Sequence, residues 1–367
     1  MNFYDLVVVG GGPAGSSTAF HASKRGLKVL ILEKKKVPRF KLCAGCISER
    51  ISPYLPAGWE KLVLNRISSG VLGYAGTESF EVPAEEPIAY IIDRVEFDTF
   101  LLEKAQQEGA HLLQECEFFY LEKEGARYRI STSKGVFYAD HLVGSDGFYS
   151  KVATLLGYKK KKFFKALEFF TEGALFHKVL IDIGIVKRGY AWIFPKGNNL
   201  SVGIVCNGDY ELTKTLKDYA EKRGIKNITK IYGWYIPYAE SNEDVFYGKE
   251  RVLLTGDAAN LTDPLLGEGI YYAFWSGKVA VDALVLSPSH PTGNYKTLLK
   301  DLVSELVYAG KIARLGYRFQ KVAYRMAKKG ALRTYYGLLK GNMSYKELFL
   351  KGWLDFLKEF AYNYVWR

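Results

Sequence analysis

Apolar positions near the start of the chain fall into short, unbroken runs. Leu6, Val7, Val8 and Val9 sit inside Tyr4–Gly10, and Val29, Leu30, Ile31 and Leu32 sit inside Lys28–Glu33. Runs this short and apolar on both faces predict buried strands of a parallel sheet. Ser16–Arg25 between them is helical in composition, so the chain opens as a strand–helix–strand unit. Val37–Arg50 reads as a loop with two cysteines, and Ser68–Tyr90 alternates loosely, as strands of a second layer do. Arg94–Gly109 gathers Phe97, Phe100, Leu101, Leu102 and Ala105 on one side, the mark of an amphipathic helix. His111–Tyr138 is again strand-like. After the lysines of Lys159–Lys162, short aromatic strands separated by Lys, Gly and Asn turns run to about Pro237 and predict an antiparallel sheet. Arg251–Asp257 returns to a buried strand, a loop follows, and a long helix is expected from about Gly269. Beyond Thr292 the chain is helical, basic and aromatic.

The turn between the first strand and helix carries the first chemistry. In Gly10-Gly11-Gly12-Pro13-Ala14-Gly15, Gly10 permits the tight turn, Gly12 lets a pyrophosphate approach the backbone, and Gly15 allows close helix–strand packing. The helix N-terminus offers N–H groups and positive dipole to the phosphates. Glu33, at the end of the next strand, is placed to accept from ribose hydroxyls, and its charge repels a phosphorylated ribose. The ligand expected from the turn alone is therefore FAD or NAD. Two distant segments favour the flavin. Gly144-Ser145-Asp146-Gly147 follows one strand, and Gly256-Asp257-Ala258-Ala259 follows another and continues to Pro264-Leu265-Leu266-Gly267-Glu268-Gly269-Ile270. Asp257 suits the ribityl hydroxyls, and the N–H groups at Gly269 and Ile270 suit the pyrimidine end of the isoalloxazine.

Composition narrows the class without naming an activity. The 367 residues suffice for two domains, and 48% hydrophobic with 25% charged residues excludes disordered and fibrous chains. Four cysteines are too few for a disulfide scaffold. The start lacks a secretory pattern, and the most apolar stretch, Tyr271–Leu286, is broken by Lys278 and Asp282. A cytoplasmic, reducing location is expected. The formal charge of +12 suits an acidic partner or an anionic membrane face. Aromatics at 15% are abundant.

Taken together, the glycine turn with Glu33, the Gly-Ser-Asp-Gly turn and the Gly-Asp-Ala-Ala…Gly-Glu-Gly-Ile segment resemble the flavoprotein group that includes aromatic hydroxylases and geranylgeranyl reductases. Lys41-Leu42-Cys43-Ala44-Gly45-Cys46 is similar to the flavin loop of the reductases. Gly189-Tyr190-Ala191-Trp192-Ile193-Phe194-Pro195, followed by Ser201-Val202-Gly203-Ile204, resembles their Tyr-x-Trp-x-Phe-Pro signature. The resemblance implies an α/β fold: a Rossmann-like FAD-binding domain, an antiparallel substrate sheet and a helical C-terminal region. It places the FAD-binding domain at 1–70, 91–160 and 245–290, the substrate domain at 71–90 and 161–244, and the helical region at 291–367. It also implies flavin contacts at Gly10, Gly12, Ala14, Gly15, Glu33, Cys43, Ala44, Cys46, Arg94, Asp257, Gly269 and Ile270.

Several features keep two readings at this stage. Cys43 and Cys46 are either packing residues of the flavin loop or a redox pair; with no companion cluster, metal is not expected. Tyr190, Trp192 and Phe194 alternate, so one side of a strand carries three rings, either as plain core or as the wall of an isoprenoid pocket. Tyr190 and Cys43 are the candidates for the proton route. No histidine suggests a catalytic base: His21 falls on the first helix, His141 before a strand and His290 in a loop. The basic, aromatic tail from Tyr308 to Arg367 is a solvated helical face or a membrane-surface contact; nucleic acid is not expected. The function implied is FAD-dependent saturation of C=C bonds in a geranylgeranyl or other prenyl-lipid substrate, with NADPH or ferredoxin as electron donor. The alternatives are a flavin monooxygenase acting on a hydrophobic aromatic and a non-catalytic, flavin-containing isoprenoid carrier.

Overall fold

The computed structural model describes residues 3–159, 162–208 and 211–353. Lys160 and Lys161 of the expected boundary, and residues 354–367 of the basic tail, lie outside the described residues. In chain order the strands are β1 (Phe3–Val9), β2 (Val29–Leu32), β3 (Cys46–Ser48), β4 (Val63–Ile67), β5 (Ser69–Tyr74), β6 (Glu78–Pro83), β7 (Ala89–Ile92), β8 (His111–Leu113), β9 (Phe118–Glu124), β10 (Arg127–Thr132), β11 (Gly135–Gly144), β12 (Phe163–Glu172), β13 (Lys178–Ile183), β14 (Gly189–Lys196), β15 (Asn199–Cys206), β16 (Tyr232–Pro237), β17 (Gly248–Lys249) and β18 (Val252–Leu254). The helices are α1 (Pro13–Ser23), α2 (Arg94–Gln107), α3 (Lys151–Leu155), α4 (Leu212–Lys222), α5 (Ile270–Leu286), α6 (Pro291–Leu298), α7 (Lys300–Arg318), α8 (Gln320–Met326) and α9 (Leu332–Leu339). They form two compact units. The first comprises Met1–Lys41, Val95–Lys162 and Pro237–Val307, and the second Leu42–Arg94, Phe163–Ile236 and Tyr308–Arg367.

The first unit is built on a sheet of order β17-β18-β11-β1-β2-β8, with β10 and β9 continuing antiparallel from β11. Strands β18, β11, β1, β2 and β8 run parallel. Val7, Val8, Ile31, Val143 and Leu253 are fully buried, as strands apolar on both faces require. α1 begins three residues before its composition predicts, because a proline in the first turn gives up an N–H that no helical bond needs. α1 and α5 touch backbone to backbone: a β-carbon on Gly277 would stand 2.6 Å from the Ala14 carbonyl oxygen. The chain leaves β1 through α1 to β2 on one side, while β11 pairs on the other. The C-terminal end of β1 is thus the switch point at which open α/β sheets take ligands.

The second unit holds a sheet of order β16-β12-β15-β14-β13-β5-β6, in which the β13–β5 pair is parallel, and a small sheet β3-β7-β4. On one face of the large sheet Phe169, Ala191, Ile193, Val202 and Ile204 pack against Leu212, Leu216, Tyr219 and Ala220 of α4. This helix departs from the purely antiparallel reading of the segment, although the spacing of its apolar residues is that of an amphipathic helix. At its end the Arg223 guanidinium and the Tyr219 hydroxyl both donate to the fully buried Asp182 carboxylate, each at 2.9 Å. The stretch Val37–Arg50 is not loop throughout, because Cys46 pairs with Ile91 in β3 and β7.

Unit boundaries fall at 41/42 and 94/95 rather than at 70/71 and 90/91, since β3, β4 and β7 close a sheet of their own. Nor do the C-terminal helices stand as a separate region. Gln320 donates to the Val186 carbonyl (2.8 Å), while the Tyr336 hydroxyl accepts from the Gly70 N–H (2.9 Å) and donates to the Val82 carbonyl (2.6 Å). Among the described residues no helix is long and apolar enough to cross a membrane.

Candidate functional site

Three glycine-bearing turns, far apart in sequence, meet at one edge of the first unit's sheet. Gly10 holds a φ of +105°, and a β-carbon on it would overlap the Ser145 carbonyl oxygen. On Gly15 a β-carbon would overlap the carbonyl oxygen of Gly10. The Ser145 N–H donates to Val9 (2.8 Å), the Thr255 N–H to Gly144 (3.0 Å), and the Ser145 and Thr255 hydroxyls lie 2.7 Å apart. Within this arrangement Asp146 is engaged with its own helix. Its carboxylate accepts from the Ser150 hydroxyl (2.6 Å) and the Lys151 N–H (2.7 Å) at the start of α3. Burial raises its pKa, and these hydrogen bonds work against the rise.

The residues at this edge fit an FAD. α1 starts without a side-chain cap or an acidic residue in its first turn, and α5, entered through Gly269, does the same. Both helix ends therefore offer N–H groups and positive dipole to anionic groups. Gly12 stands at the open side of the α1 turn, where a β-carbon would meet nothing nearer than the Arg39 guanidinium at 3.9 Å. Ala14 and Gly15 are buried beneath it. Glu33, next after β2, is buried and pre-oriented: it accepts from the N–H groups of Gly11 (3.0 Å) and Lys35 (2.9 Å) and pairs with Arg39 at 3.2 Å. Arg39 also reaches the buried Asp98 at 3.0 Å. It thus ties the end of β2 to α2 beside the α1 turn, and no spacing rule singles it out from the sequence. At the other end Asp257 accepts from the Thr262 hydroxyl (3.3 Å), and a β-carbon on Gly269 would lie 3.7 Å from the same carboxylate. Asp257, Gly269 and Ile270 are thereby brought together, as are Gly10, Gly12, Ala14, Gly15 and Glu33.

The second unit holds the remaining candidates. Cys43 and Cys46 form no disulfide and are both half-buried, the first in a loop and the second on β3. Between them lie Ala44 and Gly45, whose φ of +80° turns its N–H toward the Cys43 sulfur at 3.4 Å. The loop is pinned from β14. The Lys196 ammonium donates to the carbonyls of Cys43 (3.2 Å) and Ile92 (3.3 Å) and lies 3.8 Å from the Asp93 carboxylate. Arg94, the first residue of α2, is buried.

Tyr190, Trp192 and Phe194 do lie on one strand and one face, opposite the face that packs on α4. Their ring centroids follow at 6.1 and 6.3 Å. Tyr190 and Trp192 are buried, and Phe194 joins Cys46 in the cluster around Ile67, Ile91 and Tyr336. Lys196 continues the row. Gly203 pairs with Trp192 across β15, and a β-carbon there would overlap the indole, which accounts for a glycine at that point. Glu168 and Ser201, buried on the same face, complete the row's polar side. A lone Glu or Ser in a strand gives no signal in sequence. His141 lies within β11 rather than before it.

Comparison with known proteins agrees with this geometry. Residues 4–274 match the family described as FAD binding domain. An uncharacterized protein of Methanosarcina barkeri is 30% identical over 323 residues, covering 85% of this chain and 82% of its own length. The digeranylgeranylglycerophospholipid reductase of Methanocaldococcus jannaschii is 28% identical over 302 residues, covering 76% of this chain and 75% of its own. In fold, a geranylgeranyl bacteriochlorophyll reductase-like protein of Thermoplasma acidophilum superposes with a TM-score of 0.81 at 21% identity, over 99% of this chain and 97% of that one. This chain belongs to the FAD binding domain family, among the relatives of the geranylgeranyl reductases, and is a flavin-dependent oxidoreductase whose cofactor is FAD.

Proposed function

We propose that this flavoprotein saturates carbon–carbon double bonds of prenyl chains, with membrane-lipid precursors as the substrate class. The observation that carries this reading is the row Tyr190, Trp192, Phe194 on β14, whose next member, Lys196, hydrogen-bonds the Cys43 loop. Three rings in line offer a long apolar chain continuous contact and a surface that excludes water. Relatives named for digeranylgeranylglycerophospholipid reduction support the same substrate class. FAD, once reduced, supplies hydride. The chain's own part is to bind, orient and keep dry. In the first unit we assign Gly10, Gly12, Ala14, Gly15, Glu33, Asp257, Gly269 and Ile270 to the cofactor, and in the second Cys43, Ala44, Cys46 and Arg94. Tyr190 and Cys43 are the groups we assign to hold a proton for the second carbon. The first unit is then the flavin-binding part and the second the substrate part. NADPH or a ferredoxin is the electron donor; the +12 charge favours an acidic protein.

The test is anaerobic incubation of dithionite-reduced protein with an unsaturated archaeal-type diether phospholipid, followed by lipid mass spectrometry. Addition of one dihydrogen for each double bond is the expected result. Addition of oxygen in air would favour the monooxygenase reading instead. Unchanged lipid retained by FAD-loaded protein would leave the carrier reading.

A further inference from the structure

On the ring-bearing face, one buried carboxylate stands in register with the signature tryptophan. Glu168 of β12 lies opposite Gly203 of β15, and Gly203 lies opposite Trp192 of β14. The glycine leaves the space that the indole covers. One step along the same face, Phe170, Ser201 and Phe194 form the next cross-strand row. Ser201 joins the two rows: the Trp192 Nε1–H donates to its hydroxyl at 2.9 Å, and that hydroxyl donates to the Glu168 carboxylate at 2.6 Å. Glu168 is 3% exposed, Ser201 fully buried and Trp192 7% exposed.

From this geometry we propose that Glu168, acting through Ser201, is a positioning residue that sets the angle of the Trp192 indole and so the register in which a prenyl chain lies along the ring row. An indole held only by apolar contact could pivot about its χ angles. A serine hydroxyl alone could turn its lone pairs away. With the Glu168 carboxyl on its far side accepting the hydroxyl proton, the oxygen is left to receive the indole N–H. The direction of the bond chain is thereby fixed. Because the chain must fit along the rings in order to bind, the same lock has a consequence for substrate affinity. This inference rests on the proposed prenyl substrate, but its first readout does not.

The experiment compares Ser201→Ala, Glu168→Leu and Glu168→Gln in the FAD-loaded chain. Trp192 fluorescence is taken in each as the difference from the matching Trp192→Phe variant, alongside KM and kcat for the diether phospholipid. Ser201→Ala and Glu168→Leu are expected to shift the Trp192 emission and to raise KM on the order of tenfold, with kcat less affected. Glu168→Gln, whose amide oxygen still accepts from Ser201, is expected to restore both. Emission unchanged in Ser201→Ala and Glu168→Leu, or Glu168→Gln behaving as Glu168→Leu, would overturn the assignment. So would a shifted emission with KM at the wild-type value, which would make the lock a core feature only. Should Glu168→Leu fail to fold, Ser201→Ala against Ser201→Thr, which keeps the hydroxyl, gives the same contrast. If wild-type protein reduces no prenyl lipid, the proposed function falls, and the emission comparison alone decides whether Glu168 positions the indole.

Discussion

At Gly15 a β-carbon would overlap the carbonyl oxygen of Gly10, and at Gly10 one would overlap Ser145. Those overlaps fix the path of the turn, while the open side of Gly12 leaves its backbone reachable. Gly15→Val is therefore expected to yield protein that is poorly folded or colourless, measured as flavin absorbance per chain; a yellow, fully loaded variant would refute the cradle. These glycines and Glu33 are legible in sequence because their spacing is local, set by one strand, one turn and one helix. Arg39 is not. Its role comes from lying within reach of both Glu33 and Asp98, the latter contributed by α2. Glu168 and Ser201 are hidden for the same reason, since register across three strands joins them to Trp192.

Among the elements, α1 and α5 turn uncapped N-termini toward the glycine turns, and where they cross they half-bury His21. The imidazole packs edge-on against Phe20 and Phe274. Burial, with Lys278 and Arg25 nearby, lowers its pKa from 6.5 to about 4, while Asp282 opposes the shift and Lys24 adds a little to it. A pKa lower in the folded than in the unfolded state means that the unfolded chain binds more protons between those values. Stability from this site is complete above about pH 6.5 and declines as pH falls toward 4. At about 1.4 kcal/mol for each pH unit of separation, the loss is at most roughly 3.5 kcal/mol. Thermal unfolding across that range is expected to show the decline in wild type and a flatter profile in His21→Gln; equal slopes would rule out His21 as its source. α4 marks the limit of reading elements by local pattern. Its apolar positions have helical spacing, but the aromatic strands around it impose a period of two on the surrounding sequence.

On the scale of the molecule, the helices beyond Val307 belong to the second unit with its sheets, while α6 and the start of α7 belong to the first. Tyr336 holds the former by a buried hydrogen bond and Gln320 by a half-buried one, so residues 308–353 are not a free arm. One stretch still presents an apolar and basic surface. Leu350 is 59% and Trp353 39% exposed, and Lys311 stacks over Tyr308 at 4.2 Å. If this face meets an anionic bilayer, co-sedimentation with phosphatidylglycerol vesicles is expected to fall as salt rises from low to physiological, where the screening length shortens to about 8 Å. Equal sedimentation with neutral vesicles at every salt concentration would mean that these side chains serve packing alone. By itself the sequence determined the parallel β–α–β opening, the dinucleotide turn, the acidic end of β2 and the one-sided ring row, because each depends on residues a few positions apart. Only the tertiary structure decided that three glycine turns share one sheet edge. The same holds for the pinning of the Cys43 loop by Lys196, the assembly of 42–94 with the second unit, and the buried acid beside Trp192. Strand order, register and the contacts of long side chains are long-range choices, made by packing and by the need to partner every buried polar group, and no local spacing encodes them.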